Sequence, residues 1–132
     1  MIKNDGQTIL VVDDVEETLD GIEEMLTRDG YRVFAARDER EAAEKARLRP
    51  PDLMLVSLAG EAVDNIAAAI RIRACAGFGD DLPIIIFCVG ELKEGNEVFV
   101  EPNIYLARPD NFNQMREFIA RHLLHSPSVA PV

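Results

Sequence analysis

Three short runs constrain this chain more than anything else in it. They are ILVV (Ile9–Val12), LMLV (Leu53–Val56) and III (Ile84–Ile86), and none alternates with polar residues. A strand with one wet face alternates, whereas a strand covered on both faces is apolar throughout. Between these runs lie stretches with helical spacing. Val15, Leu19, Ile22, Met25 and Leu26 share one face and stop at Gly30, with Asp14 and Glu17 patterned as a capping box. Asp38 and Glu41 repeat that pattern before an Ala-rich helix that Pro50 and Pro51 end. Asp64 is placed to cap a third helix containing Ile66, Ala67, Ile70 and Ala74. Asp110 opens a last one, with Phe112, Met115, Phe118, Ile119 and Leu123 facing inward. YRVFAA (Tyr31–Ala36) supplies a second strand with Tyr31, Val33 and Ala35 on one side, and IYLA (Ile104–Ala107) a short fifth. Strands alternating with helices imply an α/β chain with a parallel sheet covered on both faces. In residues 90–103, Gly95, Pro102 and the β-branched side chains weaken any helix, so one or two irregular turns are expected.

The chain's 132 residues suit one domain with a real core, residues 1–125, followed by a disordered tail or linker stub at 126–132. Its formal charge of −10 repels phosphate backbones, which argues against direct nucleic-acid binding and for a protein partner. Cys75 and Cys88 lack metal-ligand spacing and read as reduced thiols. With no apolar signal core and no run approaching ~20 apolar residues, the expectation is a cytoplasmic protein away from membranes.

In a doubly wound sheet, ligands sit beyond the carboxyl ends of the strands where strand order reverses. That edge should carry Asp13, Asp14, Ser57, Cys88 and Arg108. Two adjacent carboxylates are costly together unless a cation or hydrogen bonds offset their repulsion. One reading makes Asp14 a helix cap and Asp13 a solvated loop residue; the other makes the pair a site for Mg²⁺, which takes oxygen ligands and keeps several waters.

The order of ILVVDD (Ile9–Asp14), PDLMLVS (Pro51–Ser57 with Pro51 doubled by Pro50), PIIIFCV (Pro83–Val89) and YLARP (Tyr105–Pro109) resembles the receiver domain of bacterial two-component response regulators. The likeness runs from about Thr8 to Leu124. It implies a flavodoxin-like, five-stranded doubly wound sheet of order 2-1-3-4-5. It also implies an acceptor Asp at the end of strand three that takes a phosphoryl group from a histidine kinase. An acidic pair after strand one would hold Mg²⁺, a Thr or Ser after strand four and a Lys after strand five would contact the phosphoryl oxygens, and an aromatic residue on strand five would report the change. Asp13, Asp14 and Tyr105 match those positions. Three do not: Ser57 stands for the acceptor Asp, Cys88 for the Thr or Ser, and Arg108 for the Lys.

A serine hydroxyl is a weak nucleophile without an activating base. His122 and His125 belong to the end of the last helix, where they read as surface residues favoured by the helix C-terminus. Ser57 also removes a metal ligand, leaving Mg²⁺ weakly bound or absent. Cys88 reads as core filler. Arg108 is expected either to turn toward Asp13 or Asp14, taking the charge role of metal and phosphate, or to face solvent before a turn. The Arg108–Pro109 bond matches a place where the family commonly has a cis peptide, so cis is expected. Val98, Phe99 and Val100 are either an exposed partner contact or buried over Tyr105.

The leading expectation is a degenerate pseudo-receiver, not an enzyme, acting as a phosphorylation-independent protein-interaction module. Its partner would be a histidine kinase, an output domain or another protein, and the chain a monomer or weak homodimer. Against it stand an active phosphoacceptor using Asp13 or Asp14, and a small-ligand binder at the same edge that lacks a Gly-rich phosphate loop.

Overall fold

The computed structural model describes residues 7–87 and 97–124. In chain order its elements are β1 (Thr8–Asp13), α1 (Glu16–Arg28), β2 (Arg32–Ala36), α2 (Glu39–Leu48), β3 (Leu53–Ser57), α3 (Ala62–Cys75), β4 (Ile84–Phe87), β5 (Glu97–Glu101), β6 (Ile104–Ala107) and α4 (Phe112–Leu124). They form one six-stranded sheet of order β2-β1-β3-β4-β6-β5. Five of those strands run parallel in the expected doubly wound order, and the sixth, β5, is an antiparallel edge strand paired with β6.

The apolar runs explain the layering. Side chains alternate along a strand, so each run feeds two cores at once. On one face Ile9, Val11, Leu53, Leu55 and Ile85 pack with Leu19, Ile22 and Leu26 of α1 and Phe118, Ile119 and Leu123 of α4. On the other, Leu10, Val12, Met54, Val56, Ile84 and Ile86 meet Ala42 and Ala46 of α2 and Ala69 and Ile72 of α3. Each fully buried aliphatic side chain contributes about 1.5–3 kcal/mol, so the central strands carry much of the stability. Tyr31, Val33 and Ala35 all lie toward the first of these cores, as their alternation implies. Phe112 does not face the core as expected: it is the first residue of α4 and is 60% exposed.

β5 is the main departure from the expected sheet. Of residues 90–103, read as irregular turns, 97–101 form a strand with the sequence EVFVE. Its β-branched and aromatic residues suit a pleated edge. The reversal into β6 is a tight turn in which Asn103 has φ 63°, a left-handed conformation that asparagine tolerates better than most residues. A register irregularity lies between Phe99 and Glu101.

The helix starts correct several expectations. Asp38 caps α2 by accepting from the Glu41 amide, while the Glu41 carboxylate accepts from the Arg37 amide. Asp14 caps nothing; Val15 holds the N-cap position of α1 without a side-chain bond. Asp64 sits three residues inside α3 and accepts from the Glu61 amide, closing the turn from within. At α4 the cap is Asn111, one residue beyond Asp110, accepting from the Gln114 amide at 2.9 Å.

On α3, Asn65, Ala68, Ala69, Ile72 and Arg73 are buried, while Ile70 and Ala74 are exposed. Two of the side chains on the buried face are polar. The Arg108–Pro109 bond is trans, not cis, in keeping with the intrinsic preference of the amide. Cys75 is exposed and free. Cys88, His125 and the tail 126–132 lie outside the described residues. No helix among the described residues is long and apolar enough to cross a membrane.

Candidate functional site

The carboxyl ends of β1 and β3 meet side by side. Asp13 is the register partner of Ser57, so the acidic residue and the hydroxyl occupy neighbouring ends of adjacent parallel strands. The backbone around them is held by side chains. Asp14 Oδ2 accepts from the Ala59 amide at 2.8 Å, joining the loop after β1 to the loop after β3. Asn65, buried on α3, accepts from the Leu58 amide at 2.8 Å and donates through Nδ2 to the Leu58 carbonyl at 3.0 Å. The residue after Ser57 is therefore held at both its amide and its carbonyl. Asn65 was not picked out from sequence; the available signal was an amide in the interior of an Ala-rich helix, where it gains nothing unless it bonds elsewhere.

Asp13 is 2% exposed. Its Oδ1 accepts from the Val15 amide at 2.8 Å, and its Oδ2 has no hydrogen-bond partner. Burial lifts its carboxyl above the ordinary aspartate range, and the charge of Asp14 pushes it the same way against the Val15 hydrogen bond. Asp13 is thus neither a solvated loop residue nor a cap. A buried carboxylate oxygen without a donor, beside a second carboxylate, suits a hard cation. The donor set is short, however: among the described residues no three acidic, His or Cys side chains gather to hold a metal.

Arg108 does not satisfy Asp13, whose Oδ2 lacks any hydrogen-bond partner. Arg108 follows β6, which is separated from β1 by β3 and β4.

Tyr105 lies on β6, opposite Phe99 of β5. Its ring is flanked on two sides, edge-on by Phe99 at 5.6 Å between centroids and tilted against His122 at 4.2 Å. Phe99 touches Tyr105 yet remains 61% exposed, so it is not buried over that ring. His122 corrects its expectation outright. Its side chain is only 12% exposed, and its Nε2 meets Oε2 of Glu97. Arg121 donates to the other Glu97 oxygen at 3.1 Å. No sequence signal paired Glu97 with α4, because that contact depends on β5 forming at all.

No protein-family model matches the chain. Among curated proteins it is 44% identical over 92 residues to response regulator RR06 of Streptococcus pneumoniae, an alignment covering 69% of this chain and 41% of that protein. It spans less than half the length of the curated relatives it matches. Among solved structures, the receiver domain of sensor histidine kinase PA1611 from Pseudomonas aeruginosa, with magnesium coordinated in its active-site cleft, superposes with a TM-score of 0.68 at 26% identity, over 89% of this chain and 98% of that one. The response regulator TrrA of Thermotoga maritima, solved in complex with histidine kinase ThkA, has the same fold, with a TM-score of 0.68 at 22% identity over 89% of this chain and 98% of that one. Strand order, fold and curated relatives together make this chain a response-regulator receiver domain of the CheY-like kind.

Proposed function

We propose that this receiver domain takes no phosphoryl group at position 57 and works as a protein-interaction module in two-component signalling. The observation that carries this reading is the register of Ser57 beside Asp13. It puts an alcohol at the strand end where an acceptor carboxylate would attack phosphorus. An acyl phosphate cannot form on a hydroxyl, and a phosphoserine would need a base to take the proton. Asp13 does not serve as that base: one oxygen accepts from the Val15 amide, and the other accepts from nothing, the Ser57 hydroxyl included. His122, the histidine among the described residues, is engaged with Glu97 beyond β4.

Asp13 and Asp14 would hold Mg²⁺, weakly, since Ser57 contributes no third carboxylate. When bound, the cation would balance the charge of the acidic pair. The protein's own residues already do part of that work through the Ala59 and Val15 amides. The domain carries out no reaction of its own, and its partner is a protein: a histidine kinase, an output domain or a separate output protein. The complex of TrrA with ThkA supports a protein partner for a domain of this fold.

The competing reading, phosphorylation on Asp13 or Asp14, is opposed by the deep burial of Asp13 and by the engagement of Asp14 with the neighbouring loop. Incubation with a small phosphodonor and Mg²⁺, followed by intact-mass measurement, tests the proposal. The expected result is an unchanged mass; a stoichiometric phosphoryl adduct overturns it, and peptide mapping then identifies the residue.

A further inference from the structure

We infer that β5 is a strap over Tyr105, anchored firmly at its turn and latched at its other end by Glu97, and that it opens as a unit of its own from the Glu97 end. The inference stands apart from whether position 57 is phosphorylated.

The two ends of the strap are held differently. At the turn, the guanidinium of Arg73 on α3 is almost wholly buried and donates to the Pro102 carbonyl at 2.9 Å and the Leu82 carbonyl at 3.4 Å, while also pairing with Asp80. Asn103 adds a bond from its Nδ2 to the Asp80 carbonyl. The Arg73 guanidinium itself is dry, so its bonds to the two carbonyls are expensive to break, whereas Asp80 is exposed and the Asn103 bond lies at the surface. At the other end, the Glu97 carboxylate joins the strap to α4. Glu97 is 15% exposed, and its two oxygens are divided between His122 and Arg121. Arg121 is half exposed, so water reaches this end of the strap.

Among the described residues, the other contacts of β5 are few. Val98 and Phe99 are exposed, and no described β5 side chain is among the buried core residues. Among the described residues it pairs with one neighbour only, β6, and that ladder is interrupted between Phe99 and Glu101. Few apolar contacts and a wet, irregular ladder mark a segment of low local stability. The Glu97 carboxylate is therefore the contact whose loss frees the strap. Opening would uncover the Tyr105 ring on the Phe99 side and part His122 from its acid, changing the surface formed by β6 and α4.

Native-state hydrogen exchange at increasing sub-denaturing urea tests this, following the β5 amides that bond to β6 against those of β1 and β3. In the unaltered protein the β5 amides should exchange through a lower-energy opening that is nearly insensitive to urea, because little surface is exposed. Glu97→Gln should speed their exchange roughly tenfold or more, the loss expected for charge-assisted bonds. The inference is overturned if the β5 amides share the rate and urea slope of β1 and β3, which means the strand opens only with the whole fold. It also falls if Glu97→Gln leaves their exchange within twofold of the unaltered protein. Should the variant fail to fold, the unaltered protein alone decides through its urea slope.

Discussion

Asp13 and Glu97 are both carboxylates withdrawn from water near the same edge of one sheet, yet their surroundings are opposite. Asp13 ends the most buried strand and leaves one oxygen without a donor. Glu97 begins the most exposed strand and has each oxygen claimed by a cationic or proton-bearing side chain of α4. The difference separates two uses of a hidden charge. A satisfied carboxylate holds structure together, whereas an unsatisfied one lowers stability and persists as a place for something else to bind.

Removing each charge should therefore act with opposite sign. The largest effect is expected for Glu97→Ala, which strips His122 and Arg121 of a shared acceptor and should cost about 2–3 kcal/mol. A lowered urea midpoint at unchanged slope reports it; an unshifted midpoint would show that Glu97 does not hold the structure together. Asp13→Asn should instead stabilise the protein by about 1–2 kcal/mol at neutral pH, by removing a buried charge and its repulsion with Asp14.

That gain should depend on pH in a definite direction. Burial raises the Asp13 carboxyl in the folded state, so the folded chain keeps this proton to higher pH than the unfolded chain does. The cost of ionising it is fully present above the raised value and disappears as pH falls through that value toward the ordinary aspartate range near ~3.9. The midpoint difference between Asp13→Asn and the unaltered protein should accordingly shrink with acidification. A difference that grows in acid would show that Asp13 is stabilising as the anion.

The smallest effect sharpens the same contrast. Millimolar Mg²⁺ should raise the melting temperature slightly, by an increment equivalent to about 0.4 kcal/mol when the ion equals its dissociation constant. Asp13→Asn should abolish the increment and Glu97→Gln should leave it intact. An increment lost in the Glu97 variant instead would place the cation at the wrong carboxylate.

Much of the central sheet was legible because its rules are local. Continuous apolar runs demand two covered faces, and helical spacing with Asp38 and Glu41 ahead of it identifies a helix and its start. Local rules say nothing of Asn65 and Arg73 on α3, which are buried because carbonyls and amides of other segments satisfy them. Such rules failed at β5, since an EVFVE segment becomes a strand only when an edge with free hydrogen-bonding groups lies beside it. The neighbouring placement of Asp13, Asp14 and Ser57 was readable from strand ends, whereas the unpartnered state of Asp13 Oδ2 was not.

By itself the amino-acid sequence determined the parallel core, the acidic pair and the alcohol beside it, because strand periodicity and residue chemistry act over a few neighbours. Only the tertiary structure decided which carboxylate is satisfied, since a hydrogen-bond partner can come from any element that packing brings within 3 Å or so. Glu97 finds its partners 24 and 25 residues away on α4, and Asp13, with a carboxylate next to it, finds just one amide.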